Sequence, residues 1–201
     1  MGKTVKKRQN AETMKPEIVF NFYKTILEDG LEGASIGKVA KRMKIHPSLI
    51  IHYFQTKDNL IAAMVDYLIE GAGRLYDMLN TQADDSDKRL RNLVSIFFSD
   101  AWYHMTDAGV DFAVLSLSGR DELVDLKLRN LYELTKKHIA NEIKKLNETG
   151  ILSVKDPLRA AEMIITIYEG YRHFKHFYVA GDQAESFRND MIDKVLSMLK
   201  N

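Results

Sequence analysis

Residues 35–60 read SIGKVAKRMKIHPSLIIHYFQTKDNL, and this stretch decides the fold. Ser35 stands where a helix N-cap belongs, ahead of Ile36, Val39, Ala40 and Met43 at the spacing of a short amphipathic helix. A second short helix is expected to open at Pro47, whose missing N–H suits a first-turn position, with Ile50, Tyr53 and Phe54 facing inward. Two short helices joined by a tight turn have the geometry of a helix-turn-helix.

On the N-terminal side, a first helix is expected to begin near Pro16, with Ile18, Phe22, Ile26 and Leu27 as its apolar stripe and Asp29-Gly30 as its stop. On the C-terminal side, Thr56 or Lys57 opens a long helix that keeps its apolar rhythm through Leu60, Met64 and Leu68 to about Asn80. Residues 81–86 form a polar break, and one amphipathic helix is expected from Asp87 to Met105. A short apolar segment follows near Phe112, and then a helix from Asp121 to Thr149 ended by Gly150. Asp156-Pro157 joins an N-cap to a first-turn proline and starts a helix to about Val179; a last helix follows Gly181. With roughly nine helices and no bounded alternating stretch, the chain is expected to be all-α. Its parts are a basic arm (1–15), a helix-turn-helix domain (16–56) and a helical body (57–201).

Composition narrows the function classes. The 201 residues carry 29 Lys+Arg against 28 Asp+Glu, but residues 1–60 hold a formal +5 and the remainder −4. A basic first third on a mildly acidic remainder points to a nucleic-acid-binding head. There is no cysteine, which excludes disulfides, thiolate metal sites and a cysteine nucleophile. Neither a membrane-length apolar run nor a signal-peptide core is visible, so a cytoplasmic protein is expected. His173 and His176 are spaced i, i+3 but lack a third ligand, and no catalytic constellation or cofactor motif occurs, so no metal, cofactor or enzymatic activity is expected.

The pattern Ser35, Val39-Ala40, Ile45, Leu49-Ile50, Tyr53-Phe54, Lys57 and Leu60 resembles the DNA-binding domain of the TetR family of bacterial regulators, and the preceding 11–33 is similar to that family's first helix. Within the family, PSLIIHYFQTKDNLI is most similar to the choline-regulator type, and no ligand is carried over from that likeness. A recognition helix offers its N-terminal residues to the major groove. Here those are His46, Pro47, Ser48, Leu49 and Ile51, with His52 farther along; Ser48 and His46 can hydrogen-bond to bases, and the apolar three can meet thymine methyls. The resemblance implies phosphate contacts from Ser35, His52, Tyr53 and Lys57. The arm residues Lys6, Lys7 and Arg8 can follow the backbone or enter a minor groove. Three positions depart from the family pattern: Gly37 follows Ile36 where a basic residue is frequent, Ile51 replaces a frequent tyrosine, and Lys44 takes the turn position usually held by glycine. A left-handed Lys44 costs about 1 kcal/mol.

The resemblance also implies that the body holds a small molecule and dimerises through its last two helices. Trp102, Met105, Phe112, Leu115, Ser116, Tyr132, Tyr168 and Arg172 are the expected pocket lining. The 157–179 helix is apolar nearly all round, so it needs cover from a partner as well as from the core. Ile164, Ile165 and Tyr171 on it, with Phe187, Met191, Val195 and Leu196 on the last helix, are the expected dimer interface. The function expected is a homodimeric repressor released from a palindromic operator on double-stranded DNA by a small hydrophobic effector. A regulator of the same fold without a small-molecule inducer, acting as an activator or under a protein partner, is the alternative.

Overall fold

The structure, a computed structural model, describes residues 11–80, 86–105, 108–178, 181 and 183–200. Among these residues every regular element is helical: α1 (Ala11–Gly33), α2 (Ile36–Met43), α3 (Pro47–Phe54), α4 (Lys57–Asn80), α5 (Ser86–Phe97), α6 (Asp100–Met105), α7 (Ala108–Ser118), α8 (Glu122–Glu148), α9 (Pro157–Tyr178) and α10 (Gln183–Lys200). The chain forms two compact units, one ending at Tyr67 and the other beginning at Leu68. This division falls beyond the expected 56/57 boundary because the first turns of α4 bury Leu60, Ile61, Met64 and Val65.

In the first unit Ile18, Phe22, Val39, Ile50 and Leu60 are completely buried and form the centre of the head. The expected start of α1 at Pro16 is corrected: the helix begins at Ala11, and Pro16 lies inside it. A proline there gives up the bond its N–H would make to the residue 12 carbonyl and crowds that carbonyl, a cost borne near the exposed start of the helix. Gly30 adopts φ 70, ψ 168 and kinks the end of α1. Ser35 caps α2 by accepting from the Lys38 N–H at 3.3 Å. Lys44 closes the helix in the left-handed region at φ 55, ψ 38, as the turn demands of a position without glycine. Between α3 and α4, Gln55 has φ 64, ψ −54, and the Thr56 N–H donates to the Phe54 carbonyl at 2.7 Å. That is the rare three-residue γ-turn with positive φ.

In the second unit, α5, α6, α8, α9 and α10 share one core around Leu90, Phe98, Ile143, Ile164 and Val195. The single helix expected over 87–105 is broken into α5 and α6. Ser99 is responsible: its Oγ donates to the Ile96 carbonyl at 2.7 Å and accepts from the Trp102 N–H at 3.1 Å, so it closes one helix and caps the next. Asp121 caps α8 by accepting from the Leu123 and Val124 N–H groups, and Asp156 caps α9 by accepting from the Arg159 N–H at 3.0 Å. Gly150 takes φ 75 just past α8. Glu142 is 3% exposed and accepts from Arg89 at 3.1 Å and Lys145 at 2.5 Å, which ties α5 to α8.

Candidate functional site

The candidate DNA-reading surface is the N-terminal end of α3. His46 caps that helix: its Nδ1 accepts from the Ser48 N–H at 3.3 Å and lies 2.7 Å from the Ser48 Oγ. With Nδ1 accepting the hydroxyl proton, Nε2–H is left as a donor and the Ser48 oxygen as an acceptor. His46, Ser48, Ile51 and His52 are exposed, Ile51 by 48%, while Pro47, Leu49 and Tyr53 are half-buried. His52 rests edge-on against Tyr53 with ring centroids 5.2 Å apart. Ile50 and Phe54 take the opposite, buried face. The alternation follows from a 3.6-residue period, which sends neighbouring residues to different sides of a short helix.

Flanking residues bracket this tip. Ser35 is exposed at the N-terminus of α2, where free N–H groups favour an anion. Lys57 is half-buried, and its Nζ donates to the Leu31 carbonyl at 2.7 Å, stitching the start of α4 to the end of α1. Lys6, Lys7 and Arg8 lie outside the described residues. Two acidic residues near the end of α1 take up part of the basic face: Glu28, which sequence reasoning passed over, and Asp29, which it read only as part of the helix stop. Glu28 receives Arg42 through two bonds of 2.6 and 2.8 Å, and Asp29 pairs with Lys38 at 2.9 Å. The hydrogen bonds from Arg42 hold the Glu28 carboxyl below its ordinary value. These acids fix α2 against α1 and leave Lys41 and Lys44 as exposed cations without an ion pair among the described residues.

In the body, the structure brings four of the expected pocket residues together. Trp102 is 8% and Tyr168 6% exposed, and burial pushes the Tyr168 phenol well above its usual range. Tyr132 donates to Glu169 Oε1 at 3.3 Å. Arg172 pairs with Asp111 and donates to Glu169 Oε2 at 3.0 Å. Burial raises the Glu169 carboxyl, against the opposing hydrogen bond from Tyr132, and burial lowers the Arg172 guanidinium. Asp111 and Glu169 escaped the sequence analysis. The signal for Glu169 was an acid and an arginine three residues apart in a helix that is otherwise largely apolar. Phe112 sits apart from this cluster, edge-on to His173 at 5.4 Å and His176 at 5.9 Å. Leu115 is 56% exposed and Ser116 is also exposed, unlike the buried Trp102 and Tyr168. Asp111, one helical turn earlier on α7, is half-buried. The Met105 side chain lies outside the described residues.

Of the expected interface, Ile164, Tyr171 and Val195 are buried in the chain's own core, so they are corrected from interface to core. Ile165, Phe187, Met191 and Leu196 are half-buried against the same core. The outward face of α9 instead shows Met163 (43% exposed), Phe174 (53%) and Phe177 (57%), with Gly170 between them. Among the described residues no group of side chains is arranged to hold a metal ion, and no helix is long and apolar enough to cross a membrane.

Known proteins match both units. The family model described as "Bacterial regulatory proteins, tetR family" covers residues 23–64, and "Tetracyclin repressor-like, C-terminal domain" covers 85–200. The HTH-type transcriptional regulator BetI of Brucella canis is 28% identical over 87 residues, 43% of this chain and 44% of that protein. BetI of Burkholderia mallei is 28% identical over 90 residues, 44% of this chain and 46% of that one. The matched stretch thus spans less than half the length of these relatives. A TetR transcription regulator from Haloarcula marismortui shares the fold at a TM-score of 0.80 and 20% identity, over 94% of this chain and all of that one. A transcriptional regulator from Saccharomonospora viridis, solved in complex with choline, does so at 0.77 and 17%, over 92% and 96%. With a helix-turn-helix head and a body that each match this family's models, the chain belongs to the TetR family of DNA-binding transcriptional regulators.

Proposed function

We infer that the protein is a homodimeric repressor that leaves a palindromic operator when a small molecule binds its body. The observation that carries the DNA-reading part is the tip of α3: a capped helix whose N-terminal face offers one donor, one hydroxyl acceptor and Ile51, while Ile50 and Phe54 anchor it from behind. In this reading His46 and Ser48 read base edges, Ile51 and Leu49 meet thymine methyls, and Ser35, His52, Tyr53 and Lys57 hold phosphates. With Gly37 unable to reach a base, this readout leans on groove shape more than on a dense set of base contacts.

The dimer reading rests on the uncovered apolar stripe of α9. Met163, Gly170, Phe174 and Phe177 recur at helical spacing on one exposed face, and a Cβ at Gly170 would meet nothing within 4 Å. That leaves room for a second helix to approach closely. A two-fold pair of such faces presents two recognition helices to half-sites about one DNA turn apart or a multiple of it. The effector reading rests on the cluster around Tyr168, Glu169 and Arg172, and is supported by the choline held by the Saccharomonospora viridis neighbour of the same fold. The effector acts by preferring one of two states, and it shifts their balance only by its difference in affinity.

Selection of bound sequences from a random DNA pool by the purified chain tests this reading. A palindromic consensus with regularly spaced half-sites is expected. Enrichment no better than non-specific binding would overturn it.

A further inference from the structure

We propose that the Glu169 cluster seats a positively charged organic ligand of the substituted-ammonium class, enclosed by the rings of Trp102, Tyr132 and Tyr168. The proposal rests on the effector reading above and gives that effector a chemical class.

Charge is the first argument. Two carboxylates, Asp111 and Glu169, face one guanidinium, and Arg172 engages both. The arginine side chain is 13% exposed and the Asp111 side chain 18%, so the imbalance is poorly screened by water. An anionic ligand would meet a spent arginine and an uncompensated negative charge; a cation balances the cluster.

The walls are the second argument. An aromatic face carries negative quadrupole density, and a cation that has shed its water gains most from it. Tyr168 already shows this preference, with the Arg172 guanidinium carbon 5.7 Å from its ring centroid. Trp102 packs edge-on against Phe97 at 5.1 Å, and Phe97 meets Tyr168 in the same way at 6.3 Å, which fixes the rings in place. Tyr132 is 38% exposed and holds Glu169 Oε1 only by a 3.3 Å bond, so it forms the side open to solvent.

The third argument is an unspent polar atom. The Tyr168 hydroxyl is buried; the Trp102 indole beside it can donate but not accept, so the hydroxyl's own proton meets no acceptor among the described residues. The Tyr168 ring lies under Arg172, which pairs with Glu169, so the residue belongs to the same cluster. A buried hydroxyl left in this condition is costly to the folded chain. A ligand that brings a hydroxyl or carbonyl alongside its ammonium group satisfies that atom and the charge together.

Trp102 is the only tryptophan in the chain, so its emission reports directly on this cluster. The test titrates the full chain with choline, with its uncharged carbon isostere 3,3-dimethylbutan-1-ol, and with hexanoate. Choline is expected to change Trp102 emission saturably and to raise the melting temperature, with the isostere and the carboxylate weaker. Glu169→Gln is expected to weaken choline binding about tenfold, the scale of one charge-assisted contact. Should that variant fail to fold, Tyr132→Leu at the solvent side is expected to weaken it likewise. Better binding of the isostere or of hexanoate overturns the charge class and leaves the effector reading standing. Silence from all three ligands overturns the proposal, as does full-strength choline binding by the variants. Choline that binds without altering operator affinity supports the site and overturns the effector reading alone.

Discussion

In the head, Arg42 grips Glu28 through two bonds at the surface, with the glutamate side chain 60% exposed. In the body, Glu142 is 3% exposed and needs both Arg89 and Lys145 to offset its removal from water. Surface pairs of the first kind contribute little stability but orient short helices. Buried charges of the second kind cost so much when unpaired that each must be matched in place. The comparison teaches where function is written in each region. The head uses charge to hold a reading surface still and leaves its tip exposed. The body takes charge inside, where among the described residues one carboxylate, Glu142, meets two cations, and two carboxylates, Asp111 and Glu169, meet one.

The largest effects should come from the two cores. Phe22→Ala and Phe98→Ala each remove a fully buried ring and should cost about 3–5 kcal/mol. Phe22→Ala is expected to abolish DNA binding while the thermal transition seen by Trp102 stays in place; Phe98→Ala should lower that transition. Loss of both signals in both variants would break the division at Tyr67. Next, Glu142→Gln should lower the melting transition by about 2 kcal/mol, less than for a fully enclosed pair because Arg89 and Lys145 can reach water. Glu28→Gln in the head should leave it unchanged, and equal effects would dissolve the contrast between the regions. Lys44→Gly should stabilise the head by about 1 kcal/mol by relieving a left-handed lysine, measured by denaturant unfolding. The smallest change concerns Lys57. Lys57→Ala should reduce the slope of operator affinity against salt by about one unit if the ammonium meets a phosphate. An unchanged slope would restrict Lys57 to tethering the Leu31 carbonyl.

The two regions also differ in how far they can be read before folding. Ser35, Pro47, Ile50 and Phe54 announce themselves because caps, first turns and buried faces each demand a particular kind of residue at a particular spacing. The end of α8 and the start of α9 were legible for the same reason, at Gly150 and at Asp156-Pro157. The ion pairs of Glu28 and Asp29 were not, because nothing local distinguishes a carboxylate in free solution from one that meets an arginine fourteen residues later. In the body the apolar rhythm located the helices but not their neighbours. Ile164, Tyr171 and Val195 carry the same signal whether a stripe faces its own core or a second chain, and only packing separates them. Ser99 looked like one more polar residue in a periodic helix, since capping depends on where its hydroxyl turns and not on its identity alone.

The turn at Gln55 has a mechanical consequence. A chain that reverses within three residues, pinned by the 2.7 Å bond from the Thr56 N–H to the Phe54 carbonyl, has no slack between the end of α3 and the start of α4. Such a joint behaves as a weld and not as a hinge: a rotation of the first turns of α4 is passed to the reading helix at full amplitude. One residue inserted there would turn the lever into a loose coupling, leaving a head that still recognises its half-site and no longer obeys the helix that holds it.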